Sequence, residues 1–340
     1  MSPHEPSAAA PASLPDPGYY PVPDHHRKRV VERNWDGDVW TDEVRPAADG
    51  ATLPGYKRHL FRFLRSPGWK LLVGYVVFAA IAAALWSSDR EDSLVGGIQL
   101  AMPLFAGLAA LMVMLALFHF LNGRVALDRI AGDTRKSIVK WGVLSGVIGI
   151  AFAVGVETFV PEIFGESIKD DHGWALIAGP AEETGKLILP LILWAKGFYR
   201  RPVEGYLLVL VSAAVFGIAE ATEYGAQPDK YQVTRPAAEI MHPLFTGFIA
   251  AVAWPAAWRA KRMFTRALFG SWLVAVLVHS INDVIVLDKE LADVSKLTGY
   301  VTLVAIVLMY LLQKHAARRM VPPDLVGEVS PHWRPAAPRR

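Results

Sequence analysis

The chain has 340 residues, 53% of them hydrophobic, and its mean hydropathy is +0.28. This apolar excess over an ordinary soluble domain is gathered in long runs, which is a membrane pattern. The net charge of +3 lies mostly in the loops between those runs, where it marks membrane edges and excludes a nucleic-acid surface; the absence of cysteine excludes disulfides and thiolate-held metals.

Residues 1–55 are rich in proline, alanine and charge, which predicts a disordered arm without a packed core. No apolar h-region lies in it, so no signal peptide is expected. The segment 25–34, with Trp35 and Trp40, reads either as flexible tail or as a short ordered, partner-binding patch. Eight apolar runs follow, at 69–86, 96–121, 138–160, 174–194, 203–224, 236–258, 267–287 and 297–312. Each is near the roughly 20 residues that a spanning helix needs. The runs are continuous, not alternating, so they predict helices and not barrel strands. The fold class expected is therefore all-α, a polytopic transmembrane helical bundle of about eight helices over residues 56–313. A basic, Pro-rich tail occupies 314–340. Gly142 and Gly146, in the third run, have the spacing of a close helix crossing.

The loops alternate in charge. Lys57, Arg58, Arg62, Arg65 and Lys70 precede the first run; Asp89, Glu91 and Asp92 follow it. Arg124, Arg129, Arg135 and Lys136 come next, then Glu162, Glu166, Asp170 and Asp171. Lys196, Arg200 and Arg201, and later Arg259, Lys261, Arg262 and Arg266, are basic again. Because Lys and Arg stay on the cytoplasmic side, both termini are expected there, as an even helix count requires.

That orientation gives each polar residue a depth. Glu182 and Glu183 lie roughly 12–14 Å below the outer end of the fourth helix at 1.5 Å per residue. Glu220 and Glu223 fall near the outer end of the fifth, His242 in the outer part of the sixth, and His279 and Asp283 in that of the seventh. A carboxylate at bilayer depth costs roughly 2.5–3.5 kcal/mol on insertion scales, so this convergence predicts function. Lys186 is spaced to pair with Glu182 or Glu183, and Asp283 to orient His279; Asn282 adds an amide able to donate to an oxyanion. Carboxylates with imidazoles are the parts of a water-activating or metal-binding site. His119 reads as a packing residue, and Glu157, Glu223 and Glu239 as residues of the outer interface.

Four motifs carry a resemblance. They are Glu182-Glu183-Thr184-Gly185-Lys186; Phe216-Gly217-Ile218-Ala219-Glu220 with Glu223-Tyr224; Arg235 leading to His242-Pro243-Leu244-Phe245-Thr246-Gly247; and His279-Ser280-Ile281-Asn282-Asp283. In order and spacing they resemble the PrsW family of intramembrane proteases, related to the CAAX-prenyl endopeptidases. The CAAX branch carries His where this chain has Glu220, which sets the chain apart from that branch. The resemblance implies an endopeptidase of the bacterial cytoplasmic (inner) membrane that makes the first cut in a single-span, anti-sigma-factor-like protein on its extracytoplasmic side.

The chemistry expected is attack of an activated water on a peptide carbonyl. Glu182 or Glu183 takes the water's proton, and Asn282 and Asp283 assist. His242 and His279, with Glu220 completing the set, either bind a divalent metal, Zn²⁺, or the histidines hold the water and oxyanion directly. Two other classes compete. A proton-coupled transporter predicts polar residues through the full depth and inverted repeats, and neither pattern is found. A non-catalytic membrane scaffold does not require both glutamates and both histidines.

Overall fold

The computed structural model of the protein describes residues 17–24, 29–35, 40–46, 67–88, 95–121, 130, 132–164, 171–227, 235–287 and 292–320. The tail at 321–340, most of the arm, and the loop residues Ser93, Arg129 and Glu166 lie outside these.

The eight apolar runs form helices, as expected. They are α1 (Pro67–Ser88), α2 (Val95–Phe120), α3 (Gly132–Phe164), α4 (Asp171–Ala195), α5 (Pro202–Gly225), the one-turn α6 (Arg235–Ala238) leading into α7 (Met241–Ala260), α8 (Arg266–Leu287) and α9 (Ala292–Arg319). Among the described residues, seven spans, with α6 and α7 counted as one, are long and apolar enough to cross a membrane. Glu182, Glu183 and Lys186 interrupt the apolar run of α4, which completes the eight. The protein is a multi-pass membrane protein. Helix α9 runs through Arg319, past the boundary at 313 read from the sequence.

The buried centre is α5 and α7, packed on each other. Around them α3 packs on α4 and α5, α8 on α4 and α7, α9 on α7 and α8, and α1 on α2, which covers α5. The outer faces are apolar and exposed, with Val73, Val76 and Val77 on α1 and Val304, Val307 and Leu311 on α9. Such faces belong against lipid.

Close crossings hold α4 in the middle. Gly142 and Gly146 of α3 face α5: a Cβ on Gly146 would meet the Ser212 carbonyl oxygen at 2.7 Å. One turn on, α3 crosses α4, and a Cβ on Gly185 would meet the Gly149 carbonyl oxygen at 2.7 Å. Pro190 in α4 has no N–H to give the carbonyl of Lys186. Ser212 Oγ donates to that carbonyl instead at 3.0 Å, and Ser145 Oγ at 3.3 Å. The backbone at Lys186 is thus fastened to α3 and α5 by groups that replace a missing helix bond.

Within the arm, the described residues form a small sheet. Strands β1 (Gly18–Asp24), β2 (Arg29–Trp35) and β3 (Trp40–Pro46) form an antiparallel sheet in that order. Its core is aromatic: Trp35 is fully buried, and its ring lies 5.5 Å from that of Trp40, edge to face. Arg45 pairs with Glu32 at 2.6 Å and covers the Tyr19 ring at 4.0 Å. Arg319 Nε, at the end of α9, donates to the Trp40 carbonyl at 2.9 Å. Composition pooled over the arm hides this local aromatic cluster.

Gly185→Val is expected to force α3 and α4 apart, costing about 1–3 kcal/mol as other overpacked sites do. Gly155 of α3 has nothing within 4 Å of a Cβ, so Gly155→Ala should stay within about 1 kcal/mol of the parent. Thermal unfolding in detergent compares the two; equal effects would mean that the crossing is not tight.

Candidate active site

Helix α4 presents Glu182, Glu183 and Lys186 on one face, because i,i+3 and i,i+4 residues lie one above the other. All three are buried, Lys186 and Glu183 completely. Lys186 Nζ donates to Glu183 Oε1 at 2.8 Å and to Glu182 Oε2 at 3.2 Å. It also lies 2.8 Å from His242 Nδ1 of α7 and 4.3 Å from the centre of the Phe216 ring of α5.

The two glutamates differ in surroundings. Glu183 has three donors: Lys186, His279 Nδ1 of α8 at 3.0 Å, and Thr246 Oγ1 of α7 at 2.7 Å on its other oxygen. It therefore ties α4 to α7 and α8. Glu182 Oε2 has Lys186 at 3.2 Å and stands 3.5 Å from His242 Nδ1 and 3.7 Å from His279 Nε2.

The partners of each imidazole assign its tautomer. His242 Nε2 faces only acceptors, Glu220 Oε2 at 2.6 Å and Glu239 Oε2 at 2.8 Å, so it carries a proton. Its Nδ1 faces the Lys186 ammonium, a donor, and so keeps its lone pair. His279 Nδ1 donates to Glu183. Its Nε2 also faces only carboxylates, Glu182 Oε2 at 3.7 Å and Asp283 Oδ2 at 3.5 Å, so the same reasoning gives it a proton, which a bound metal would displace. The rings of His242 and His279 meet edge to face at 5.6 Å.

This donor set suits a divalent metal. One atom each from Glu182, His242 and His279 lie within 4.8 Å of one another. A tetrahedral zinc with bonds of 2.0–2.1 Å holds its ligand atoms about 3.3 Å apart. The 3.5 and 3.7 Å from Glu182 Oε2 to His242 Nδ1 and His279 Nε2 are close to that spacing.

Glu220 lies on the far edge of His242, grouped with Glu239 and within 4.8 Å of it. Asp283 adjoins His279, and the Asn282 amide donates to Asp283 Oδ1 at 3.3 Å. Glu223 is exposed and Glu239 is 2% exposed, so the two share no environment. Glu157 Oε1 is buried without a hydrogen-bond partner, unlike an interface carboxylate. Two residues escape a reading by spacing. Glu239, assigned from sequence to the outer interface, touches His242. Arg235, given from sequence as the start of the third motif, pairs with Glu220 at 2.6 Å and with Glu239 at 2.7 Å. The i,i+4 spacing of Arg235 and Glu239, with His242 three further on, is the signal that would have found them.

Among known proteins, the model of a family described as PrsW family intramembrane metalloprotease matches residues 135–312, just over half the chain. No curated protein and no solved structure matches. The matched stretch contains every residue of the site described above.

Glu183→Ala should destabilise the protein by about 3–5 kcal/mol, because it strands a buried ammonium that the pair neutralised. Glu182→Gln keeps an acceptor for Lys186 and should cost about 1 kcal/mol or less. Melting temperatures of the two variants in the same detergent check this; the reverse order would mean that Glu182 is the main counter-ion.

Proposed function

The chain belongs to the PrsW family of intramembrane metalloproteases, and we propose that it cleaves a single-span, anti-sigma-factor-like membrane protein near its extracytoplasmic side. The site gathers at one end of the bundle, from the N-terminal half of α4, the C-terminal end of α5, the start of α7 and the C-terminal half of α8. The Lys/Arg alternation supports an extracytoplasmic position for that end and cytoplasmic termini, and the family resemblance supports a bacterial inner membrane.

The observation that carries the chemistry is the pair of imidazole nitrogens facing Glu182 Oε2 at 3.5 and 3.7 Å; a metal would take the place of the Lys186 contact on one and of a proton on the other. His242 Nδ1 and His279 Nε2 would hold the metal, with Glu182 beside them free to act as base. Imidazole ligands suit Zn²⁺. A metal there would polarise the scissile carbonyl and acidify water.

Glu182 is the base. It has one donor where Glu183 has three, so it has the freer lone pair for the proton of the attacking water. The water oxygen bonds to the peptide carbon, the proton passes to Glu182 and then to the leaving nitrogen, and the C–N bond breaks. Glu183 orients His279 and holds Lys186. Asn282, whose amide contacts Asp283, supplies a donor for the oxyanion.

Glu182→Gln, His242→Ala and His279→Ala should each lower cleavage of a single-span reporter by about 10²–10⁴-fold or more while the protein still accumulates in membranes. The exposed Glu162→Ala is the control. A chelator should abolish cleavage by the parent and Zn²⁺ restore it. Normal cleavage by all three variants would sink the protease assignment of these residues and move the transporter reading ahead.

Orientation has its own test. The chain has no native cysteine. Ser93→Cys and Glu166→Cys should react with an impermeant thiol reagent from outside, and Arg129→Cys should not. Outside labelling at position 129 would invert the topology.

A further inference from the structure

His242 works through Nδ1, and what fixes Nδ1 lies on the other edge of the ring. Glu220 of α5 and Glu239, between α6 and α7, each turn one oxygen to His242 Nε2, at 2.6 and 2.8 Å. Each turns its other oxygen to Arg235. Nη2 donates to Glu220 Oε1 at 2.6 Å. Nε stands 2.7 Å from Glu239 Oε1, an ion pair whose N–H is not aligned for a hydrogen bond. One imidazole N–H does not satisfy two carboxylates, and two carboxylates at one nitrogen repel. A planar guanidinium with donors in a fixed fork is the side chain that holds both in place. Arg235 is itself held over the Tyr224 ring at 3.8 Å, at the rim of the site, with 21% of its side chain exposed.

We propose that Arg235 is a positioning residue which, through Glu220 and Glu239, locks His242 as its Nε2–H tautomer and so keeps Nδ1 unprotonated, on Lys186 in the metal-free protein and able to exchange that contact for the metal. This rests on the ligand set proposed above. Without the clamp, one carboxylate swings off, Nε2 loses its obligatory acceptor pair, and the ring is free to turn or to move its proton to Nδ1. A proton on Nδ1 blocks both the contact with Lys186 and metal ligation. The contrary account is that Arg235 only pins α6 to α5.

Two readouts separate these, and the first needs no metal. In metal-free protein labelled with ¹⁵N-histidine, the His242 signals are identified by their loss in His242→Gln. The parent should show one Nε2–H tautomer. Arg235→Gln should mix or invert it, whereas in a Glu220→Gln/Glu239→Gln background the same change should have no further effect. The second readout is Co²⁺ affinity, followed by its absorption bands. Arg235→Gln should weaken it by about 10–100-fold, as loss of an outer partner of a ligating histidine does. Should Arg235→Gln fail to accumulate, Arg235→Lys keeps the charge and carries both readouts. A lowered melting temperature with the tautomer and Co²⁺ affinity unchanged would overturn the proposal and leave the metal reading standing. A tautomer that shifts in a parent binding neither Co²⁺ nor Zn²⁺ would support the clamp and overturn the metal reading instead.

Discussion

A single buried ammonium organises this protein. Lys186 is wholly removed from solvent, and an unpaired charge in that position carries an effective penalty of several kcal/mol. It is held by Glu182, Glu183 and the lone pair of His242, with the Phe216 ring beneath it. Its own carbonyl is held by Ser212 and Ser145, since Pro190 has no N–H to offer. Side chain and main chain at one residue therefore bind α4 to α3, α5 and α7. Everything chemical in the site takes its bearings from that point. The ammonium tells His242 which nitrogen stays bare, and it shares Glu183 with His279, whose Nδ1 must donate.

Charge counting explains why the site favours a cation. Glu182, Glu183, Glu220, Glu239 and Asp283 are five formal carboxylates in one connected cluster, against Lys186 and Arg235. Burial makes such an excess of negative charge costly unless protons or a metal offset it. Both histidines stand beside carboxylates, and imidazoles with carboxylates are what a divalent ion takes as ligands. The sequence left metal-assisted and glutamate-only catalysis open. The excess of carboxylates around two imidazoles is the feature that favours the metal.

The legible part of this protein was the part with a large energy attached. Continuous apolar runs and carboxylates at bilayer depth are each too costly to be accidental, so the helices and Glu182, Glu183, His242 and His279 stood out. Which of two adjacent glutamates does the chemistry was not legible, because the answer lies in Thr246 and His279, donors on other helices. Glu239 falls at the break between α6 and α7, and only its helical spacing to Arg235 and His242 marks it. The sheet in the arm was hidden by averaging. The Asp36-Gly37 pair between runs rich in Val, Trp and Thr is a hairpin signal, but proline and charge around it dominate the composition.

The small residues of the motifs are explained by the same geometry. A Cβ on Gly217 would come within 2.9 Å of both the His242 ring and the Glu239 carbonyl, so only glycine lets α5 approach the start of α7 there. Its neighbour Phe216 then lies 5.1 Å from the His242 ring while lying under Lys186. Gly185, next to Lys186, allows α3 to cross close enough for Ser145 to reach the Lys186 carbonyl. Thr184 accepts from Trp272 Nε1 at 3.2 Å and adds a second link to α8. Each motif is thus a charged or ligating residue together with the gap that lets a neighbouring helix come to it. Short strings of this kind mark a site in a membrane bundle because the expensive side chain and the space it needs must be encoded side by side.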